Sequence, residues 1–241
     1  MSDVTTAMVL AAGLGTRMRP LTNTRPKCLV TVNGKTLMDH MLDRLAGAGI
    51  TRVVVNVHAF ADMLEAHLKT RRDRDMEILI SDERAQLMET GGGVRQALHL
   101  LGDAPFVVCN TDSIWEEPQG SAIKRLLDGF DAARMDSRLM LADMSACLGF
   151  DTPGDFTMSE TGTIALRGAA ASAPWAYTGV QIVRPDTIAN EPIEPFSFKR
   201  IWERSIAAGR LFGGTLNGFW MHVGDPDARD AAEARLNGRA P

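Results

Sequence analysis

Over its first 110 residues the chain alternates short apolar runs with stretches whose apolar residues recur at helical spacing, and this alternation restricts the fold more than any other feature. Ala7-Met8-Val9-Leu10-Ala11 is too short for a helix and is bounded by Gly13, so it reads as a buried strand. Leu37, Met38, Met41, Leu42, Leu45 and Ala46 follow at helical spacing, with Gly47 and Gly49 as stop signals. Val53-Val54-Val55 is uninterrupted and β-branched, as in a strand buried on both faces. Phe60, Met63, Leu64 and Leu68 mark a second amphipathic helix, and the mixed-sign run Arg71–Asp75 reads as its solvated end. Met76–Ile80 and Phe106–Cys109 are further strands, separated by a helix over Val94–Leu101 that the glycines at 91–93 open. Strand and helix in turn, with short links, predict an α/β fold: a Rossmann-like, mostly parallel sheet flanked by helices. In such sheets ligands bind where loops leave the carboxyl ends of the strands, so Ala12–Lys27, Asp82–Gly93 and Asn110–Asp112 should gather at one edge.

The second half is less regular. A helix is expected over Ile123–Ala133, a strand over Leu139–Asp143, and short strands near Phe156, Ile164 and Val180. Helices near Phe198–Ala207 and from Pro226 to Leu236 close the chain, and no repeat, low-complexity tract or linker divides it. We expect one domain over residues 1–241, with about 5–112 as one half and about 113–241 as a second half whose short strands wall a pocket. The net charge of −4, from 26 basic and 30 acidic residues, argues against a nucleic-acid partner. No apolar run approaches the roughly 20 residues of a membrane span, and the opening MSDVTTAMVLAAGLG does not read as a signal peptide. Cys28, Cys109 and Cys147 are far apart and odd in number, which fits a reducing cytoplasm and neither a disulfide framework nor a zinc spacing. His58, His67 and the methionines read as structural or solvated.

Gly13-Leu14-Gly15-Thr16-Arg17 follows the first strand directly. Glycines there serve either a tight turn or a close backbone approach to phosphate. The dinucleotide pattern G-x-G-x-x-G fails at Met18, and no stretch supplies the P-loop string. The longer string, Gly13 through Leu21-Thr22 and on to Pro26-Lys27, resembles the G-x-G-[ST]-R, P-L-T and P-K signature of the sugar-1-phosphate nucleotidyltransferases. The resemblance is close up to residue 112, sparser from 113 to 218, and clear again at Trp220–Pro226.

That resemblance implies a reaction between a nucleoside triphosphate and a sugar 1-phosphate, by in-line attack at the α-phosphorus with loss of pyrophosphate. UTP and N-acetylmuramate or N-acetylglucosamine 1-phosphate are the first choices. Mannose 1-phosphate with GTP, or glucose 1-phosphate with dTTP, are alternatives, as is a non-catalytic nucleotide-sugar-binding module. It implies Ala11, Ala12, Gly13, Gly15, Thr16, Arg17, Lys27, Thr90, Gly91 and Asn110 as nucleotide-binding residues. Arg17 would take pyrophosphate oxygens and Lys27 the phosphates at the reacting centre, as the two catalytic cations. Asp112, at the end of a strand, suits Mg²⁺, with Mn²⁺ as the alternative, though such an aspartate also serves as a turn former or cap. The family's second metal-binding Asp lies in W-x-D-x-G-T-P. Here the string is Trp220-Met221-His222-Val223-Gly224-Asp225-Pro226, with His222 in that place and Asp225 reading as a helix cap. Three readings stay open: the metal leans on Asp112 and phosphates, His222 ligates, or Asp225 reaches in. Gly154-Asp155-Phe156, Tyr177-Thr178-Gly179-Val180 and Phe198-Lys199 resemble sugar-pocket strings, which nominates Asp155, Thr178, Gly179 and Lys199. The E-K-P string of many longer relatives is missing, which counts against glucose 1-phosphate. A monomer or small homo-oligomer, free of nucleic acid and membrane, is expected.

Overall fold

Burial on both faces makes the strands of the first half. In the computed structural model, which describes residues 4–71 and 76–238, Ala7, Met8 and Val9 are fully buried, as are Val53, Val54 and Val55. The chain runs through β1 (Thr6–Leu10), the hairpin β2 (Thr31–Val32) and β3 (Lys35–Thr36), and α1 (Leu37–Gly47). It continues through β4 (Arg52–Val57), α2 (Ala61–Thr70), β5 (Glu77–Asp82), α3 (Glu89–Leu101) and β6 (Phe106–Asn110). Strands β6, β1, β4 and β5 lie side by side in that order, all parallel. On one face Met41, Leu45, Leu64 and Ile123 cover Val9, Val55 and Val107; on the other Val94, Ala97 and Ile201 cover Met8, Val54 and Val108. Thr36 starts α1 by accepting a hydrogen bond from Asp39 N at 3.0 Å.

The second half contains β7 (Ser113–Trp115), α4 (Ala122–Asp128), β8 (Ser137–Asp143), β9 (Cys147–Leu148), β10 (Phe156–Met158) and β11 (Ile164–Leu166). It ends with β12 (Trp175–Val183), α5 (Lys199–Ala207), β13 (Leu211–Thr215), β14 (Trp220–His222) and α6 (Pro226–Leu236). The sheet changes direction at β12, which runs antiparallel to β6 over Val180–Val183 and to β8 on its other side. At its N-terminal end β12 pairs with β10 instead, through Trp175 and Phe156. The β10–β11 hairpin therefore lies just beyond the carboxyl end of β6, and a bridge between Thr163 and Phe212 ties it to β13. Leu139, Leu141, Phe156, Ile164 and Leu211 fill the space it encloses. A separate small sheet, β7–β14–β9, carries His222 opposite Ser113.

The α/β sheet is as the alternation predicts, with differences at particular elements. The helix expected over Ile123–Ala133 stops at Asp128, where Gly129 follows and the Arg138 guanidinium fills the space a side chain would need. The short strand near Val180 is nine residues long, and β7 and β13 carry no apolar run that would announce them. The charged run after α2 begins with Arg71, which is not solvated: its guanidinium pairs with Asp39 and Asp43, both at 2.7 Å. Residues 72–75 lie outside the described residues. Among those described, no helix is long and apolar enough to cross a membrane.

Candidate active site

The glycine loop begins as β1 ends. Asn56 on the neighbouring β4 is 2 % exposed, and its Oδ1 accepts hydrogen bonds from Ala11 N at 2.6 Å and Ala12 N at 3.3 Å. Beyond that anchor the N–H groups of Gly13, Leu14, Gly15, Thr16 and Arg17 take no acceptor among the described residues. A run of free amides at the carboxyl edge of a parallel sheet is a seat for an anion. Gly15 has φ 61°, and a Cβ there would lie 3.0 Å from the Lys27 Cβ and 3.2 Å from Thr22 Cγ2. Both the left-handed backbone and the close approach therefore require glycine. Thr22 holds the turn from behind, its hydroxyl donating to Gly15 O at 2.8 Å. Thr16 and Arg17 sit exposed on the 3₁₀ turn that follows, and the Arg17 guanidinium makes no hydrogen bond or ion pair among the described residues.

Lys27 opens a second 3₁₀ turn behind Pro26, and its Nζ lies 2.7 Å from Asp112 Oδ2, two residues past β6. His222 Nε2 stands 3.5 Å from the same oxygen. The imidazole is held in place: Nδ1 is 2.9 Å from Gly149 O, and Phe150 and Trp220 pack around it with ring centroids at 5.9 and 5.7 Å. A carbonyl only accepts, so Nδ1 carries a proton, and Nε2 turns to Asp112, to which it donates in the imidazolium and presents a lone pair in the neutral ring. Burial pushes the Asp112 carboxyl up, but His222 and the Lys27 charge outweigh it and hold the group well below the usual carboxylate range. Asp225 serves as the cap of α6: its Oδ1 accepts from Ala228 N at 2.9 Å, and Pro226 follows in the first turn.

Two cavities meet at Asn110 and Asp112. The smaller, about 240 Å³, is lined by Ala11, Ala12, Gly13, Gly15, Lys27, Thr90 and the side of Asn56. Its wall at the start of α3 is built by a second buried group: Glu83, 1 % exposed, accepts from Asn56 Nδ2 at 2.7 Å and from Met88 N at 3.0 Å. Burial pushes the Glu83 carboxyl above its usual value, against the pull of those two donors. Glu89 follows at φ 59°, a left-handed conformation that costs a non-glycine residue about 1–2 kcal/mol. The glycines next to it lie inside α3, because segment 194–196 packs flush on them. A Cβ on Gly91 would strike the Phe196 ring and one on Gly92 the Glu194 carbonyl. Gly91 N and Gly92 N both donate to Phe196 O, at 2.9 and 3.1 Å, so Gly91 backs this cavity and does not line it. Thr90 does line it, while its hydroxyl accepts from Phe198 N at 2.9 Å.

The larger cavity, about 680 Å³, opens beneath the β10–β11 hairpin. Arg17, Asp155, Thr178, Gly179, Lys199 and His222 all line it. Asp155 Oδ2 accepts from Tyr177 N at 2.9 Å, and burial raises its carboxyl despite that bond and the nearby Arg167 charge. Thr178 spends its hydroxyl on Met140 O at 2.9 Å, inside the irregular stretch of β12. Gly179, at φ 82°, brings the backbone against Asn110, where a Cβ would sit 2.9 Å from the Asn110 Cβ. Lys199 starts α5 and reaches only Glu203, at 3.7 Å. Thr16 lines neither cavity.

A model of the family described as "Nucleotidyl transferase" matches residues 6–142. The chain is 53% identical over 232 residues to an N-acetylmuramate alpha-1-phosphate uridylyltransferase of Caulobacter vibrioides, covering 95% of this chain and 96% of the relative. A protein of the same description from Neisseria meningitidis is 33% identical, over 90% of this chain and 92% of its own. The chain belongs to the nucleotidyl transferase family. Among solved structures, a UDP-glucose pyrophosphorylase of Acinetobacter baumannii superposes with TM-score 0.82 at 15% identity, covering 99% of this chain and 95% of that one, which establishes the shared fold.

The resemblance read in the sequence is thus borne out, and this nucleotidyl transferase is an enzyme. For a divalent ion its donors are few: among the described residues no three His, Cys, Asp or Glu converge. Asp112 and His222 are the pair that could hold one. A single carboxylate suits an ion that completes its shell with substrate phosphates and water, and an imidazole beside it is a better donor to Mn²⁺ than to Mg²⁺. His58 is structural, with Nδ1 2.7 Å from Glu83 O, and His67 stands 3.0 Å from Asp39. Asn56, Glu83 and Arg167 escaped the sequence reading. Asn56 had a signal, a polar residue inside the apolar run of β4. Glu83 and Arg167 had none, since each looks like an ordinary charged residue in a loop.

Proposed function

We propose that this enzyme is a uridylyltransferase that joins UTP to N-acetylmuramate 1-phosphate and releases pyrophosphate. The 53% identity to the Caulobacter vibrioides protein, sustained over nearly the whole of both chains, carries the choice of substrates. In this reading the chain acts as one domain, in which residues of about 5–112 bind the nucleotide and those of about 113–241 the sugar. The free amides of Gly13–Arg17 and the unpartnered Arg17 would receive the triphosphate, with Ala11 and Ala12 held in place by Asn56. Thr90 and Asn110 would line the nucleoside, with Gly91 supporting them from behind. Asp155, Thr178, Gly179 and Lys199 would line the sugar.

Two anions must meet for the reaction to proceed, so positioning and charge neutralisation supply most of the catalysis. Lys27 stands at the junction of the two cavities, where the sugar phosphate would approach the α-phosphorus. Its bond to Asp112 holds the ammonium in place before substrate arrives. A divalent ion at Asp112 and His222, Mg²⁺ or Mn²⁺, would add positive charge to the phosphates. Arg17, exposed on the turn after the glycine loop, would neutralise the departing pyrophosphate. Cys28 and Cys109 are buried free thiols, and burial pushes Cys28 up to about 12, so neither is a nucleophile; both suit a reducing cytoplasm. The test is a panel of nucleoside triphosphates against sugar 1-phosphates, read by pyrophosphate release with Mg²⁺ and with Mn²⁺. UTP with N-acetylmuramate 1-phosphate should lead; GTP with mannose 1-phosphate in first place would overturn the assignment.

A further inference from the structure

Of the cations that line the larger cavity, Arg167 is one to which the reading above gives no role. Arg167 follows β11, on the far wall from the glycine loop in the chain's sheet order, and lines the cavity beside Asp155. Its position is set by backbone: Arg167 N donates to Asp155 O at 2.7 Å, Nε to Gly154 O at 2.9 Å, and Nη1 to Ala170 O at 2.8 Å. Gly154 itself has φ 87° and abuts the Ala173 backbone so closely that no side chain fits, so the carbonyl that holds Nε is fixed in turn. Nη2 is left with no acceptor, and no carboxylate of the described residues lies within 4.0 Å of the guanidinium. Of the carboxylates that line the cavity, Asp112 is engaged by Lys27, Asp155 by Tyr177 N and Asp225 by Ala228 N, while Asp151 is exposed to solvent.

A guanidinium held by carbonyls, with Asp155 nearby but no carboxylate in contact, is a poor partner for the neutral hydroxyls of a plain hexose, because a ligand that covers it must replace its water. It suits a second anion on the sugar, remote from the phosphate. We propose that Arg167 forms a subsite for a carboxylate borne by the sugar ring, and that this subsite separates N-acetylmuramate 1-phosphate, whose lactyl ether carries such a group, from N-acetylglucosamine 1-phosphate, which lacks it. The proposal rests on the uridylyltransferase reading above. A site whose charged donor is satisfied by one substrate and stranded by the other discriminates strongly between them.

The experiment compares kcat/KM for the two sugar 1-phosphates with UTP, in the wild type and in Arg167→Gln and Arg167→Lys. The ratio favouring N-acetylmuramate 1-phosphate should fall about 10- to 100-fold in R167Q, mainly through KM, as expected for loss of one charge-assisted hydrogen bond. R167K, which keeps the charge and loses the fork, should recover part of the ratio. A ratio in R167Q equal to that of the wild type overturns the proposal. A second measurement needs no variant: the wild type should use the methyl ester of the lactyl group about 10- to 100-fold less well than the free acid, and equal use overturns the proposal. Wild-type protein that uses neither sugar 1-phosphate overturns the functional reading and the Arg167 assignment with it. Use of N-acetylmuramate 1-phosphate with an unaltered ratio in R167Q overturns Arg167 alone.

Discussion

Asn56→Ala would remove one side chain that two parts of the smaller cavity depend on. Asn56 Oδ1 is the acceptor for Ala11 N at 2.6 Å and Ala12 N at 3.3 Å, and its Nδ2 is a donor to Glu83 Oε1 at 2.7 Å. Alanine leaves the buried Ala11 amide without an acceptor, at about 1–3 kcal/mol, and takes from a buried carboxylate a hydrogen bond worth about 1.5–3 kcal/mol. Glu83 retains only Met88 N, so the start of α3 and the strained Glu89 loosen together with the glycine loop. The total is about 2.5–6 kcal/mol, and at about 2–4 °C per kcal/mol for a chain of this size the thermal midpoint should fall by about 5–24 °C. Differential scanning calorimetry, with urea denaturation as a second measure, reads the stability, and the KM for the triphosphate should rise in the same variant. Asn56→Asp separates shape from donor count. It keeps an acceptor for Ala11 N but sets a second carboxyl against Glu83, so its deficit should shrink in acid, where the two can share a proton. A loss below about 1 kcal/mol in N56A, with KM unchanged, would refute the reasoning, since it would mean the amides and carboxylate find other partners at little cost.

Three further outcomes are expected. Lys27→Ala should lower kcat/KM by about 100-fold or more in a pyrophosphate-release assay, because it removes a positioned charge from the junction of the two cavities; retention of more than about a third of wild-type activity would count against that role. His222→Asp should move ion preference from Mn²⁺ towards Mg²⁺ by about tenfold, read by Mn²⁺ paramagnetic resonance with Mg²⁺ as competitor, and an unaltered competition curve would remove His222 from the ion site. At Asp39 burial raises the carboxyl, but hydrogen bonds from Thr36, Arg71 and His67 outweigh it and the group lies below its ordinary value. A carboxyl lowered in the folded state contributes stability above its unfolded value and loses it as pH falls through the folded one. The stability gap between the wild type and Asp39→Asn should therefore be widest near neutrality and close below about pH 4; a gap constant with pH would contradict the assignment.

Much of this enzyme is legible where a structural demand is met by residues near each other in the chain. The parallel half could be read because strands buried on both faces must be apolar throughout, as in Val53–Val55, and helices covering them must repeat at helical spacing, as in Met41, Leu42 and Leu45. The glycine loop, Asp112 at its strand end and the cap at Asp225 were local in the same way. The larger cavity was not. Its wall depends on β12 exchanging β6 for β10 partway along, pairings between segments apart in the sequence that no local periodicity marks. The glycines at 91–93 read as the opening of a helix, yet two of them answer to Phe196 and Glu194, a hundred residues on. Asn56 and Glu83 stand 27 residues apart and acquire meaning only when β4 and β5 lie side by side. Local periodicity and turn chemistry determined the parallel half of the sheet and the glycine loop at its edge by themselves. Tertiary pairing alone decided which charges are stranded, which amides stay free and where the larger cavity opens, because a hydrogen bond or ion pair is defined by neighbours that only the folded chain brings together.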